Sequence, residues 1–351
     1  MAIEIWFVHV SQLKPMLKLS ERDTVLEMNK LGQLNCPFLF IIGFDKIENI
    51  VLPLNEISPE EIKYAFKDDF STYQNFFDEK LESELEISSE LLSFDVYRQS
   101  FDFVKNNLEL GNSFLTNLTV SNKIKVNIPF EKIINFTKAK YKLWLKDEFV
   151  CFSPESFVSV DSAGKISSFP MKGTIDASLE NAEDEILNDP KEKYEHTTIV
   201  DLIRNDLSKI CEKVWVERFR YIDKISRNSG QELLQVSSEV CGQLPKDWKN
   251  SIGEWFFELL PAGSISGAPK EKTLEIIKEA ERDLHQDDQR KYYTGVFGLF
   301  DGEILTSAVM IRFIEKTIEG LVYKSGGGLT SRSDARKEYE ELNQKIYVPV
   351  F

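Results

Sequence analysis

The sequence predicts a mixed α and β fold in which strands interleave with helices. Three observations support this: helical segments with readable starts, β-like apolar runs between them, and Gly-rich turns that punctuate the chain from about Val96 onward. The earlier residues read differently. They hold the strand-like pieces FLFIIGF (Phe38 to Phe44) and NIVLPL (Asn49 to Leu54). An acidic, aromatic-dotted stretch follows from Ser58 to Glu90, and its many charges and few turn breakers read as a surface helix or a connector. This change of texture separates residues 1–95, a short strand-rich region with its acidic connector, from residues 96–351.

Each later element has its own reason. Asp189 is an N-cap candidate, Pro190 suits the first helical position, and Glu192 stands three residues after the cap. Ile199, Leu202, Ile203, Leu207 and Ile210 then recur at helical spacing, so DPKEKYEHTTIVDLIRNDLSKI is a helix. Pro269 opens PKEKTLEIIKEAER in the same way, and Ser333 is placed to cap DARKEYEELNQKI. Between them KVWVERFRYI, YYTGVFGLFDGEI, TSAVMIRFIE and LVYKSGGGL read as strands, with Asp301-Gly302 as a hairpin turn.

The 351 residues, 42% of them hydrophobic, are enough for one large domain or two small ones with a real core. No apolar run approaches the roughly 20 residues of a membrane-spanning helix, and MAIEIWFVHV lacks a basic n-region, so a cytoplasmic location follows. Cys36, Cys151, Cys211 and Cys241 are widely spaced and read as buried thiols, with neither a disulfide framework nor a zinc site. The net charge of −15 argues against nucleic acid and anionic membrane as partners. It does not exclude a small anionic substrate. Charges are screened beyond about 8 Å at physiological salt, so local donors or a metal decide what a pocket accepts.

Several constellations could carry chemistry. Glu192 with Glu195, and Glu338 with Glu341, are spaced to share one helix face each. Two readings are open. The alternating charges of KEKYEH and ARKEYEE suit solvated faces; alternatively, four carboxylates brought together need a cation. Mg²⁺ suits them, because it takes one or two protein carboxylates and completes its octahedron with water and substrate oxygens. SGGGLTSRSD (Ser325 to Asp334) is either an anion cradle of glycine amides at a helix start or a flexible connector. In FPMKGTIDA (Phe169 to Ala177), Pro170 fixes φ and Gly173 relaxes it, so Lys172 sits in a shaped turn. That turn either lies on the surface or points the lysine inward. His196 adjoins Glu195 and is either a site residue or a helix-surface histidine.

Other chemistries are poorly supported. AGSISGAPKEKT (Ala262 to Thr273) fails as a phosphate-binding loop, with Ala268 for the second glycine, Pro269 for the lysine and Glu271 for Ser or Thr. There is no G-x-G-x-x-G and no G-x-S-x-G, and histidine occurs only at His9, His196 and His285. A pyridoxal phosphate Schiff base on Lys172 is a further reading, which visible absorption of the pure protein would reveal.

Taken in order, GNSFLTNLT, SPESF, FPMKGTIDA, KEKYEHTTIVDLIRNDL, PAGSISGAPK, YYTGVFG, SAVMIRF, SGGGLTSRSD and EYEELNQK resemble the chorismate-utilising enzymes. The resemblance runs from about Val96 to Pro349, making residues 96–351 a chorismate-binding catalytic core. It implies two large facing β-sheets with helices outside and the site between the sheets. It also implies roles by position. Glu155 would be the general acid toward the C4 hydroxyl of chorismate. Glu195 and Glu341 would bind Mg²⁺, with Glu192 and Glu338 behind them through water, and the metal would grip the ring carboxylate. Gly173 and Thr174 would contact that end. Tyr293, Arg312, Lys345 and the backbone of Gly326 and Gly328 would hold the enolpyruvyl carboxylate.

Within the family, Lys before Gly-Thr implies the aminodeoxychorismate synthase component I reaction, in which chorismate and ammonia give 4-amino-4-deoxychorismate for 4-aminobenzoate and folate synthesis. Lys172 would be the covalent nucleophile, splitting a hard substitution into two displacements. Its pKa must then be depressed, because an ordinary lysine near 10.4 is neutral in well under about 1% of molecules at pH 7. Leu115 stands where the water-activating members place a lysine, which favours ammonia over water. With no G-x-C-x-G elbow in the chain, ammonia is expected from a separate glutamine amidotransferase subunit. Gln235 replaces the family's usual His, and the short N-terminal region leaves a regulatory amino-acid pocket in question. The alternatives are anthranilate synthase component I and a non-catalytic chorismate-binding partner subunit.

Overall fold

Strand Phe38–Ile42 (β1) shows how the chain builds its layers. Its five residues are fully buried, yet alternate side chains leave in opposite directions. Leu39 and Ile41 enter one apolar cluster, and Phe38, Phe40 and Ile42 enter another. A strand buried on both faces must belong to a sheet covered on both sides.

The structure is a computed structural model that describes residues 17–67, 72–81, 85–226, 232–282, 284–285 and 289–350. The N-terminal leader reading and His9 lie outside the described residues, as do the side chains of Lys172, Lys191, Ile225 and Ser226. Among the described residues the strands, numbered along the chain, form two nine-stranded antiparallel sheets. The first holds β1, β2 (Ile50–Pro53), β9 (Ser156–Val160), β10 (Lys165–Ser168), β11 (Met171–Asp176), β12 (Lys213–Ser226), β13 (Glu232–Gln243), β15 (Val296–Phe300) and β16 (Leu305–Val309). The second holds β3 (Ile62–Lys67), β4 (Thr72–Gln74), β5 (Ile87–Glu90), β6 (Leu115–Val126), β7 (Tyr141–Leu145), β8 (Phe149–Ser153), β14 (Gly267–Ala268), β17 (Phe313–Thr317) and β18 (Gly320–Leu329).

The sheets face each other through one shared core. Leu39, Ile41, Phe297 and Leu299 from the first sheet pack with Ile62, Phe66, Leu143 and Phe313 from the second. The Phe66 and Phe297 rings meet across the gap at 5.0 Å between centroids. Helices cover the outer faces. On the first sheet these are α1 (Glu21–Gln33), α5 (Pro190–Ser208) and α6 (Ile252–Glu258), which contribute Met28, Val200 and Phe256. On the second sheet they are α2 (Phe94–Glu109), α3 (Ile133–Phe136), α7 (Lys270–Ala280) and α8 (Ala335–Gln344), contributing Phe101, Ile134, Ile276 and Leu342. The short α4 (Ala182–Asn188) packs beside β11 and β13. The expected fold class, two large facing sheets with helices outside, is the observed one. No helix among the described residues is long and apolar enough to cross a membrane.

Several local expectations need adjustment. The acidic stretch from Ser58 to Glu90, read from its charge as a surface helix or connector, supplies β3, β4 and β5. Its Ile62, Tyr64 and Phe66 alternate at period two and send their side chains into the inter-sheet core, which outweighs the charges between them. Strands preceding residue 96 are therefore shared by both sheets. TSAVMIRFIE is two strands, not one. β16 lies in the first sheet and β17 in the second, and the chain crosses between them at Met310 to Arg312, with Arg312 in the left-handed region at φ 54. Asp189 caps α5 as read, accepting the Glu192 N–H at 2.8 Å. The cap of α8 is Asp334 rather than Ser333, since its carboxylate accepts two amides, from Arg336 and Lys337, and complements the helix dipole. Ser333 Oγ instead accepts the Thr330 N–H at 3.1 Å.

Because Phe297 is fully buried at the middle of the inter-sheet layer, Phe297→Ala is expected to lower unfolding stability by about 3–5 kcal/mol. Urea titration followed by circular dichroism measures it. A loss under about 1 kcal/mol would mean that the sheets do not depend on this layer.

Candidate functional site

The triple glycine is neither a connector nor a helix start. Gly326, Gly327 and Gly328 lie inside β18, opposite Thr119, Leu118 and Asn117 of β6. The Thr119 N–H goes to Glu281 Oε1 at 2.8 Å and the Asn117 N–H to Ser266 O at 2.9 Å. Neither amide is therefore given to β18, so the pairs at Gly326 and Gly328 are the non-hydrogen-bonded kind. Their own amides and carbonyls point toward the opposite edge. There β17 begins only at Phe313, opposite Lys324, which leaves the glycine backbone beyond the end of its neighbour. A side chain at Gly326 would stand 2.7 Å from Thr119 Cγ2, so only glycine lets the two strands close here.

Three sequence-predicted side chains gather at that edge. Lys345, at the C-terminal cap of α8, donates from Nζ to Gly326 O at 3.0 Å and pairs with Glu341 at 2.8 Å. Arg312 immediately precedes β17, and its guanidinium lies over the Tyr347 ring at 5.3 Å. Its Nε is buried and has no hydrogen-bond partner among the described residues. Tyr293 is 2% exposed and packs against Phe313, the two rings tilted with centroids 5.6 Å apart. Burial pushes its phenol above the ordinary range against the pull of Arg290 and Arg312, with Glu281 and Glu155 pushing the same way as burial. The Ser325 hydroxyl, also buried and unpartnered among the described residues, adjoins Gly326. The sequence reading passed over it, although it opens the quoted SGGGLTSRSD.

Glu155 sits in the link between β8 and β9. Its amide donates to Ser153 Oγ at 3.0 Å, its carbonyl accepts the Val309 N–H at 3.1 Å, and its Oε1 accepts from Ser264 Oγ at 2.6 Å. Ser264 belongs to PAGSISGAPK, which failed as a phosphate loop and counted among the motifs of the resemblance without a role for Ser264. A hydrogen bond this short fixes the direction of the Glu155 carboxyl group.

Beneath these groups lies a buried ion pair that the sequence did not announce. Arg290 and Glu281 are 2% and 4% exposed and are joined at 2.6 and 2.8 Å. Arg290 also donates to Ile265 O, next to Ser264, and to Asn117 O, opposite Gly328, both at 2.8 Å. Its own carbonyl accepts the Tyr293 N–H at 3.0 Å. Burial holds His285 below its ordinary value, and its ring nitrogens bond Thr119 Oγ1 at 2.8 Å and Ser121 Oγ at 2.7 Å. One pair thus ties together the supports of Glu155, Tyr293 and the glycine strand.

The remaining candidates lie in the first sheet and its helices. The β11 ladder shifts register between Met171 and Thr174, with Gly173 at φ +81. A Cβ on Gly173 would stand 3.0 Å from Glu192 Oε2 and 3.4 Å from Ile186, so a glycine is required both for the turn and for the approach of that carboxylate. Thr174 is exposed and pairs across the ladder with Gln235. The Lys172 side chain lies outside the described residues. Glu195 is 7% exposed, and His196 is buried rather than on a solvated helix surface. On α8, Glu338 Oε2 lies 3.8 Å from the position a Gly327 Cβ would take, and Glu341 is largely exposed. Arg332 lies over the Tyr194 ring at 5.7 Å, making the N-terminal parts of the two carboxylate helices neighbours.

Among the described residues no three His, Cys, Asp or Glu side chains form a ready-made metal cluster. The donor chemistry still fits Mg²⁺, which needs only one or two protein carboxylates; Glu195 supplies a buried one and Glu341 an accessible one. A surface depression of about 680 Å³ lies elsewhere, along the outer side of α5, lined by Phe114, Tyr194, Leu202, Pro269 and Lys270. None of the candidate residues lines it, so volume does not mark this site.

Facing sheets with polar groups gathered at one strand edge define a double-sheet ligand-binding protein. The chain belongs to the chorismate binding enzyme family, which matches residues 52–350. An uncharacterized PabA-like protein of Haemophilus influenzae is 45% identical over 324 residues, covering 92% of this chain and 95% of that protein. Anthranilate synthase component 1 of Synechocystis is 35% identical over 210 residues, covering 55% of this chain and 39% of that protein. Aminodeoxychorismate synthase component 1 of Bacillus subtilis is 29% identical over 269 residues, covering 72% and 54%. The solved structure of MenF, the menaquinone-specific isochorismate synthase of Escherichia coli, shares the fold with a TM-score of 0.64 over 92% of this chain and 80% of that one, at 13% identity.

Glu281→Gln keeps the shape of the central pair and removes its negative charge, leaving Arg290 buried and uncompensated. A loss of about 3–5 kcal/mol at pH 7 is expected. Burial alone would raise the Glu281 carboxyl, but Arg290 and His285 hold it down at about 2, below its ordinary 4.5. The unfolded chain therefore takes up this proton first. The stabilisation is present above pH 4.5 and is lost as pH falls through about 2. Urea midpoints of wild type and variant should stay apart from pH 7 to 4.5 and converge as pH falls from 4.5 toward about 2; equal midpoints at pH 7 would contradict the role given to the pair.

Proposed function

We propose that this chain is an aminodeoxychorismate synthase component I, converting chorismate and ammonia to 4-amino-4-deoxychorismate. The observation that carries the reading is Lys172 immediately before Gly173-Thr174, in a bulged strand where Glu192 approaches Gly173 to within reach of any Cβ. A lysine at this point of the sequence supplies the nucleophile that a covalent route needs. Similarity to the aminodeoxychorismate synthase component of Bacillus subtilis supports it.

In this reading the neutral Lys172 amine bonds to C2 of chorismate as both ring double bonds shift toward C4 and the C4–O bond breaks. Glu155, aimed by Ser264, gives its proton to the departing hydroxyl, which leaves as water. Ammonia then bonds to C4 as both double bonds return and the C2–N bond breaks, freeing the lysine as a neutral amine, and the new C4 ammonium returns a proton to Glu155. Arg312, Lys345, Tyr293 and the backbone of Gly326 and Gly328 hold the enolpyruvyl carboxylate, and Thr174 and Gly173 face the ring carboxylate. Glu195 and Glu341 would hold Mg²⁺, with Glu192 and Glu338 behind them through water. Bound there, the ion supplies charge neutralisation for the ring carboxylate.

Ammonia comes from a separate glutamine amidotransferase subunit, or from solution in vitro. Three thiols of the chain are ill suited to hydrolysing glutamine, because burial pushes Cys211 up to about 12 and raises Cys151 and Cys241 as well. Anthranilate synthase component I is the second reading, favoured by the 35% identity to the Synechocystis protein.

Incubating the chain with chorismate, Mg²⁺ and ammonium salt, then adding the lyase that forms 4-aminobenzoate, is expected to yield 4-aminobenzoate. Anthranilate in its place would move the assignment to the second reading, and no turnover at all would leave a non-catalytic chorismate-binding subunit. Mass spectrometry of chorismate-treated protein is expected to find an adduct on the peptide containing Lys172, absent from Lys172→Ala. An adduct on another residue would refute the nucleophile.

A further inference from the structure

Of the three strands that pair with β13, two, β11 and β12, break register near Ser237 and Ser238. On one side the β11 ladder shifts between Met171 and Thr174; on the other the β12 ladder shifts from Val216 to Arg218 and again before Tyr221. A bulge gives up ladder bonds, so something else must hold the strand there. Ser238 touches both. Its amide donates to Pro170 O at 3.0 Å, at the entrance to the Lys172 turn. Its Oγ accepts the Arg220 N–H at 2.9 Å and shares a 2.6 Å hydrogen bond with His196 Nε2 on α5.

The connections continue outward from that hydroxyl. Ser238 and His196 are 0% and 1% exposed, so the groups they join have no water to replace a lost partner. Arg220 is left-handed at φ 49 and sends Nη1 to Leu187 O at 2.6 Å and Nη2 to Ile186 O at 3.1 Å, closing the end of α4. Ile186 in turn meets the position of a Gly173 Cβ at 3.4 Å. The Phe219 ring packs edge-on against His196 at 6.0 Å. The strand of Lys172, the helix of Glu192 and Glu195, and the helix that backs Gly173 all meet at one buried serine.

We propose that Ser238 is a positioning residue whose hydroxyl, bonded to His196 and Arg220, sets the spacing between the α5 carboxylates and the Lys172-Gly173-Thr174 turn. Its kinetic consequence rests on the reading given under Proposed function; its structural consequence does not.

The test compares the full chain with Ser238→Ala and Ser238→Thr. Hydrogen exchange of the free protein, read by mass spectrometry, is expected to speed up about tenfold or more in peptides covering 169–177 and 190–199 of Ser238→Ala, with β15 and β16 unchanged. Ser238→Thr, which keeps the hydroxyl, is expected to restore the slow exchange. In the product assay, Ser238→Ala should lower kcat on the order of tenfold to 100-fold while the KM for chorismate moves less than about twofold, as expected for misplaced reacting groups. Unchanged exchange in both segments overturns the proposal. So does uniformly faster exchange across both sheets, which marks general destabilisation. Should Ser238→Ala fail to fold, His196→Gln cuts the same link from the helix side, and the same local pattern is expected. A wild type without turnover would sink the functional reading and leave the exchange result to decide this one.

Discussion

The buried ion pair of Arg290 and Glu281 is the constraint on which the site depends. A lone charge in such a place costs several kcal/mol in lost hydration. Here Arg290 makes five hydrogen bonds, matching its five donors, to Glu281, Ile265, Thr294 and Asn117. Phe44 lies 4.4 Å from its guanidinium carbon and adds a cation–π contact. Two of these bonds close the pair on Glu281, and the other three, to Ile265, Thr294 and Asn117, end on segments that present or support a candidate functional group. The geometry of Glu155, Tyr293 and the glycine edge is therefore not three problems for the fold but one.

That economy follows from the way the chain crosses between sheets. A continuous strand from Thr306 to Glu315 would have kept Arg312 within a ladder. The break after Val309 ends β16 in one sheet, and the left-handed turn at Arg312 starts β17 in the other. The crossing brings the arginine to the edge that the glycines leave open. Lys324, which pairs with Phe313 in that ladder, is buried but neutralised by Glu315 at 2.6 Å. Among the described residues Arg312 has no carboxylate partner, and its buried Nε has no hydrogen-bond acceptor. Under the proposed reading that partner is a carboxylate of the substrate, which explains how a protein of net charge −15 can take a dianion.

Local physics was legible where one short stretch decides the outcome. Asp189 and Pro190 start α5 because a side-chain oxygen and a missing amide both suit a helix start, and nothing distant overrides them. Asp301 and Gly302 make the hairpin for the same reason, with Asp301 Oδ1 accepting the amides of Glu303 and Ile304. The misreadings have a common cause. The Ser58 to Glu90 stretch, His196 and the glycine run were judged by charge and flexibility, while their state is set by partners far away in sequence. Ile62 is paired with Leu145, Ser238 holds His196, and Gly326 lies against Thr119. Arg290 and Glu281 carry no local signature at all, because an ion pair between loop and helix end looks like two ordinary surface charges until the fold buries it. The facing sheets were readable only through the ordered motifs, since strand periodicity says which residues point together and not which sheet they join.

Gln235 shows what such an arrangement permits. It sits opposite Thr174 in the ladder, one residue from the left-handed Gly173, in a position where a side chain able to transfer protons would stand close to the Lys172 turn. A glutamine there can only hydrogen-bond. If the proton for the departing hydroxyl comes from Glu155, fixed by Ser264 from the other part of the site, no second acid is required on β13. What that strand must then provide is position rather than chemistry. Its serine hydroxyl at Ser238 does so within a few residues of Gln235, and under the proposed reading a covalent lysine spares the acid that a direct attack would need.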